Sequence, residues 1–333
     1  MPTLIKPLET IYQPIQSDLK RVEDALKTEL VEVEGFVGQM TGYVSQMLGK
    51  RLRPALSLLS AQAVSSENHA PVNEKVILAA AAVELVHTAT LVHDDVIDEA
   101  RLRRGQTTVN ARWGNTLSVL AGDYLYAQAF CVLSRIGNLK VLDLMSRTSQ
   151  RVCVGEVSQV KHLFDLDLAE EAYLEFIQEK TASLMEAAAE SGALLSGAEA
   201  DVVQKFAAFG QAFGTAFQIV DDCHDLLGSE DQFGKSLGAD FSHGKMTLPL
   251  ILLRDSLEGE ALKQVRALLA KASPQNGDSL LFLRDLAREH HIEQACLNRA
   301  EIFVDEAKGA LESIPGSEAR DGLIHLVDYV LSA

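Results

Sequence analysis

The chain's 333 residues suffice for one large core or two ordinary domains. Its net charge of −17 argues against a nucleic-acid surface, which would show a basic stripe. The four cysteines, Cys131, Cys153, Cys223 and Cys296, are scattered, which suits reduced thiols rather than a disulfide or zinc framework.

Residues 1–14 lack the charged-then-apolar pattern of a signal peptide. No uninterrupted apolar run approaches the ~20 residues of a membrane helix; the best, from Val76, is broken by Glu84. The expectation is a soluble, cytoplasmic protein. Leu19, Val22, Leu26 and Leu30 form a helical stripe, and Pro54 suits the first turn of a helix over 54–65. After a loop at 65–71, no proline occurs until Pro249. Since proline inside a helix costs about 3 kcal/mol, the interval favours long helices.

These are expected at 73–99, 115–136, 139–162, 170–195 and 199–227. A polar, glycine-rich loop follows at 229–245. Further helices fit 246–256, 258–271, 276–289, 291–312 and 318–331. β-signals are scarce, with few alternating runs and no Asn-Gly hairpin. The fold class expected is all-α, with residues 1–333 forming one helical domain. Cys131, Cys153 and Cys296 read as buried small apolar residues.

Two aspartate clusters of one form stand on these helices: Asp94-Asp95-Val-Ile-Asp98 and Asp221-Asp222-Cys-His-Asp225. Carboxylates at i and i+4 share a helix face, where they repel and raise each other's pKa unless a cation intervenes. A hard divalent ion fits, and Mg2+ is commonly shared between carboxylates and substrate phosphates. Arginine forks at Arg103 and Arg104 follow the first cluster and suit phosphate oxygens. Upstream, Gly49-Lys50-Arg51-Leu52-Arg53-Pro54 places three cations at a helix start, which favours anions. Downstream come Gly234-Lys235 and Gly244-Lys245. Taken singly, each cluster is an ordinary solvated helix face. The ordered set is specific.

From Gly49 to Pro249 this set resembles the trans-isoprenyl diphosphate synthases, all-helical head-to-tail prenyltransferases with a central apolar cavity. The resemblance implies isopentenyl diphosphate and an allylic diphosphate as substrates. It implies three Mg2+ ions on the allylic diphosphate, with Asp94, Asp98 and Asp221 as direct ligands among the six motif aspartates. Arg103, Lys180, Lys235 and Lys245 would contact that diphosphate; Lys50, Arg53, His87 and Arg104 would hold isopentenyl diphosphate. Thr181 and Gln218 would present oxygen dipoles to the carbocation, and the released diphosphate would take the proton.

The chain departs from the family pattern at Leu48, at Arg101 and at Cys223-His224, none of which removes a charged ligand. Ala89 lies about 7.5 Å along the helix axis before Asp94. Short-chain relatives carry an aromatic near Ala89 or Thr90. His87-Thr-Ala89-Thr resembles the long-chain octaprenyl and nonaprenyl enzymes, whose products serve as quinone side chains. Tyr126 and Phe130 on the next helix are the candidate tunnel floor, although ordinary core packing is the better account of both.

The resemblance further implies a homodimer and at most peripheral membrane contact for product delivery; the apolar face of the 115–136 helix fits a dimer interface or the core. The alternatives are a short-chain farnesyl or geranylgeranyl diphosphate synthase, a class I terpene cyclase and a non-catalytic partner subunit. A cyclase would carry an Asn/Ser/Glu-type second motif, and a partner subunit would have lost metal ligands. His93-Asp94 suggests an HD-type phosphohydrolase, a reading that leaves the second cluster unexplained.

Overall fold

The structure is a computed structural model that describes residues 6–31, 34–47, 49–65, 71–228, 238–271 and 277–331. Helices dominate it, and the all-α expectation holds. The only strands among the described residues are Leu102–Arg103 and Gln106–Thr107, which pair antiparallel.

The chain divides into two compact units. The first comprises residues 1–150, 184–211 and 307–329. At its centre runs Glu74–Ile97, which packs most extensively against Asn115–Ile136 and also against Gln16–Val31 and Leu52–Val64. Asn73 caps the central helix: its side chain accepts from the Val76 N–H at 3.1 Å. Alanines 79–82 and 89 are wholly buried, and such small side chains let neighbouring helices approach closely.

The second unit comprises residues 151–183, 212–306 and 330–333. Its helices include Glu170–Ile177, Leu248–Asp255, Gly259–Leu269 and Gly277–Glu289, with Tyr173, Phe213, Ile219 and Phe241 in its core.

Several elements differ from expectation for identifiable reasons. The 54–65 helix begins at Leu52, so Pro54 is the third helical residue, where its missing N–H is still one of the unpaired first-turn donors. Gly35–Ser45 is helical despite its glycines. The helix expected over 170–195 is interrupted by a π-turn at Gln178–Ala182. Cys131 and Cys153 are exposed, correcting their reading as buried, whereas Cys223 and Cys296 are buried.

If the odd charge is tolerated, Glu74–Ile97 and Asn115–Ile136 are long and apolar enough to cross a bilayer. In the first, 72% of the apolar window is buried inside the protein, the setting of a core helix.

Candidate active site

The first aspartate motif lies where the Glu74–Ile97 helix ends. The Asp98 N–H donates to the Asp94 carbonyl at 2.8 Å, so the two side chains leave the same face at the helix exit. Asp95 turns inward and is 2% exposed. Its Oδ1 accepts from Arg103 Nε at 2.8 Å, and its carbonyl accepts from Asn110 Nδ2 at 2.9 Å. Burial pushes the Asp95 carboxyl upward, and the Arg103 guanidinium opposes that shift.

Arg103 and Arg104 are carried by a tight hairpin. Arg104 and Gly105 both have positive φ, 52° and 74°, between the paired residues Arg103 and Gln106. This is the two-residue loop geometry that follows the right-handed twist of strands. Glycine adopts it freely; arginine at such a φ carries some strain. The turn sends the two neighbouring guanidiniums to different places. Arg103 returns to Asp95, whereas Arg104 Nη1 donates to the Met47 carbonyl at 2.6 Å. The Arg104 fork lies directly over Gly49, where any Cβ would collide with it.

Arg104 thereby joins a cationic cluster. Burial pushes Arg53 down to about 10, with Arg104 adding to the shift and Glu84 opposing it; Arg53 stays charged at neutral pH. Arg53 Nε is buried without a hydrogen-bond partner among the described residues. His87 is half-buried nearby. Burial, then Arg53, Arg104 and Arg103, hold its imidazole well below the usual range, so it is neutral near pH 7. Arg51 is turned elsewhere: at φ 56° it pairs with buried Glu84 at 3.3 Å. Lys50 Nζ sits 5.3 Å from the centre of the Tyr329 ring.

The second motif lies near the end of the Ala200–Leu227 helix. Asp221 is exposed and Asp222 buried. Both Asp222 oxygens are engaged: Oδ2 accepts from the Tyr173 hydroxyl at 2.7 Å and Oδ1 from Gln218 Nε2 at 2.6 Å. Gln218 Oε1 in turn accepts from the Thr181 hydroxyl at 2.9 Å. Asp225 Oδ2 accepts from the Asp240 N–H at 3.1 Å. Burial, with Asp240 and Asp221 adding charge repulsion, pushes Asp225 up to about 8, and burial with Asp240 shifts Asp222 upward too. Lys245 Nζ lies 3.7 Å from Asp240. Lys180 stands in the π-turn, paired with Glu156 and donating to Gln159 Oε1 at 2.9 Å. Gly155 makes room for that turn, since a Cβ there would meet the Lys180 backbone nitrogen.

A family model described as polyprenyl synthetase matches residues 34–282. The chain belongs to the polyprenyl synthetase family. It is 37% identical to the octaprenyl diphosphate synthase of Escherichia coli (strain K12), over 96% of this chain and 97% of that one. It is 34% identical to the heptaprenyl diphosphate synthase component 2 of Geobacillus stearothermophilus, over 97% of this chain and 98% of that one. A crystal structure of a polyprenyl synthase from Caulobacter crescentus CB15, complexed with calcium and isoprenyl diphosphate, superimposes with a TM-score of 0.93. The two share 32% identity over 100% of this chain and 99% of that one. This polyprenyl synthase is therefore a prenyltransferase.

Within the first unit, Arg53, His87 and Arg104 come together, while Arg103 joins Asp95. Within the second, Thr181, Gln218 and Asp222 form one chain of hydrogen bonds. Lys235 and Leu48 lie outside the described residues. Ala89 is wholly buried, Thr90 donates to the His87 carbonyl at 2.7 Å, and Tyr126 and Phe130 are partly exposed. The Tyr126 ring stacks on His93 at 6.1 Å. His93 Nε2 faces the Val119 carbonyl at 3.1 Å and Asp123 at 3.5 Å on the next helix, which leaves the phosphohydrolase reading without support.

The motif carboxylates supply oxygen donors only, which suits a hard divalent ion. Among the described residues no three His, Cys, Asp or Glu side chains enclose a metal by themselves.

Tyr173, Glu156 and Gln159 escaped the sequence reading. Tyr173 sits seven residues before Lys180, where an aromatic residue on an amphipathic helix reads as core. Glu156 and Gln159 read as a polar helix face.

Proposed function

We propose that this polyprenyl synthase condenses isopentenyl diphosphate with an allylic diphosphate, head to tail, to a long-chain all-trans polyprenyl diphosphate. One observation carries the assignment of substrates to residues: one hairpin delivers Arg103 to Asp95 and Arg104 to the Gly49 loop with Arg53 and His87. Two adjacent guanidiniums held by different surroundings suit two different diphosphates.

Asp94, Asp98 and Asp221 would hold Mg2+ on the allylic diphosphate. Asp95 and Asp222, both inward-facing, brace the two motifs, and Asp225 lies at the edge of the second. Bound Mg2+ supplies positive charge that stabilises the departing diphosphate. Arg103 and Lys245 add cationic charge to the same leaving group. Lys180 does so once it exchanges Glu156 for phosphate oxygens. Each such contact strengthens as the allylic C–O bond breaks, because charge builds on the diphosphate. Arg53, Arg104 and Lys50 hold isopentenyl diphosphate, and neutral His87 donates or accepts a hydrogen bond there. Thr181 and Gln218 turn oxygen lone pairs toward the allylic carbocation. The C=C of isopentenyl diphosphate attacks it, and the released diphosphate takes the proton whose loss restores a double bond.

Ala89 carries only a methyl group, so no aromatic ring stands there to stop a growing tail, and the octaprenyl and heptaprenyl enzymes among its relatives support a long product. The exposed apolar Val119 and Leu120 on Asn115–Ile136 suit a dimer interface. We place the enzyme in the cytoplasm, handing product to the membrane. The Geobacillus stearothermophilus relative is one component of its synthase, which favours a hetero-oligomer as a second reading. Incubating the purified chain alone with Mg2+, farnesyl diphosphate and labelled isopentenyl diphosphate separates these cases. Elongated diphosphates support the proposal; cyclic hydrocarbons, or no turnover without a second chain, contradict it.

A further inference from the structure

Tyr173 has no place in the reaction described so far, yet its hydroxyl is wholly buried and bonded to a motif aspartate. Its ring is fixed by edge-on contact with Phe176, with centroids 5.4 Å apart and planes at 82°. We propose that Tyr173 is a positioning residue: through Asp222 it sets which way the Gln218 amide faces, and so the polarity that Gln218 and Thr181 present to the allylic group. The proposal rests on the reading of Thr181 and Gln218 given above.

Asp222 accepts at both oxygens, at Oδ2 from the Tyr173 hydroxyl and at Oδ1 from Gln218 Nε2. The nitrogen end of the Gln218 amide thus faces Asp222, and Oε1 faces the other way. There it accepts the Thr181 proton, so Thr181 donates inward and keeps lone pairs to offer outward. An amide turned over would point N–H groups where a carbocation develops, which opposes the reaction electrostatically. Removing the Tyr173 hydroxyl frees the Asp222 carboxylate to rotate and loosens this chain at its root.

The test compares kcat, both KM values and the Mg2+ half-saturation across a set of variants. Tyr173→Phe keeps the ring and its packing. It is expected to lower kcat about tenfold, as loss of an orienting partner commonly does, with both KM values and the Mg2+ requirement unmoved. Asp222→Asn leaves the network one acceptor short, so either the Tyr173 hydroxyl is orphaned or Gln218 turns over; its kcat falls further. Gln218→Glu alone sets two carboxylates against each other and is also impaired. The double variant Asp222→Asn with Gln218→Glu returns the missing acceptor and is expected to recover most of the lost kcat. It also retains Tyr173, so it tests the donor–acceptor polarity on which the proposal depends even where Tyr173→Phe folds poorly.

Wild-type kcat in a folded Tyr173→Phe protein, a raised Mg2+ half-saturation in that variant, or a double variant no better than Asp222→Asn would overturn the proposal. Thr181→Val and Gln218→Ala separate the two levels. If both keep wild-type kcat, the reading beneath the proposal fails as well. If both lose kcat while the double variant gains nothing, the role of Tyr173 alone falls.

Discussion

Arg103 Nε lies 2.8 Å from Asp95 Oδ1, and that contact ties the hairpin at 102–107 to the end of the first motif helix. Asp95 is 2% exposed, so removing its partner leaves a buried carboxylate unpaired. Arg103→Ala is expected to cost about 3 kcal/mol of stability, against well under 1 kcal/mol for Arg147→Ala, whose pair with Asp143 is exposed. Calorimetric unfolding of both variants reads the difference directly. Equal losses would mean that the buried pair does not hold the hairpin.

The cationic setting of His87 predicts an acid sensitivity. Its folded-state pKa is depressed well below the ordinary 6.5, so the unfolded chain binds the proton more readily than the folded one. Stability therefore falls as pH drops below the unfolded value toward the folded one. His87→Gln removes this group, and its melting temperature should decline less than the wild type's between pH 7 and pH 5. A diphosphate bound among Arg53, Arg104 and His87 should reverse the shift by adding negative charge. Parallel melting profiles for the two proteins would contradict the neutral assignment.

Gly155→Ala tests the π-turn that carries Lys180. The added methyl meets the Lys180 backbone nitrogen, which cannot move as a flexible side-chain tip can. The expected cost is about 1 to 3 kcal/mol. Turnover should fall beyond what the lost stability explains, because Lys180 and Thr181 shift together. A stable, fully active variant, judged by denaturant unfolding and kcat, would show that the bulge does not depend on this contact.

Ala89→Phe places an aromatic ring where the wild type has a buried methyl group. Product chromatography should then show shorter prenyl chains, with elongation stopping early. Unchanged product length would remove Ala89 from the tail's path.

Much of this architecture is legible in the sequence, and the exceptions have physical causes. Asn115–Ile136 has the expected bounds because Gly114 and Gly137, at φ 90° and 65°, flank it and cannot be mistaken for helix interior. The π-turn at 178–182 leaves no such mark. Its residues carry no breaker, and the glycine that lets it approach closely, Gly155, lies on another helix. The 102–107 hairpin carries no turn signal in the sequence, because Arg104, rather than asparagine or aspartate, occupies the first positive-φ position of the turn. The aspartate motifs were plain as patterns, but spacing alone does not tell an inward carboxylate from an outward one. Asp95 and Asp222 owe their orientation to Arg103 and Tyr173, which are distant partners.

The proposed function gives adjacent arginines on one hairpin two different diphosphates. Steady-state kinetics of Arg103→Ala and Arg104→Ala, with each substrate varied in turn at saturating Mg2+, tests it most directly. A crossed pattern is predicted: Arg103→Ala raises KM for the allylic diphosphate and Arg104→Ala raises KM for isopentenyl diphosphate, each leaving the other constant nearly unchanged. Two variants that shift the same KM, or both constants together, would contradict the division.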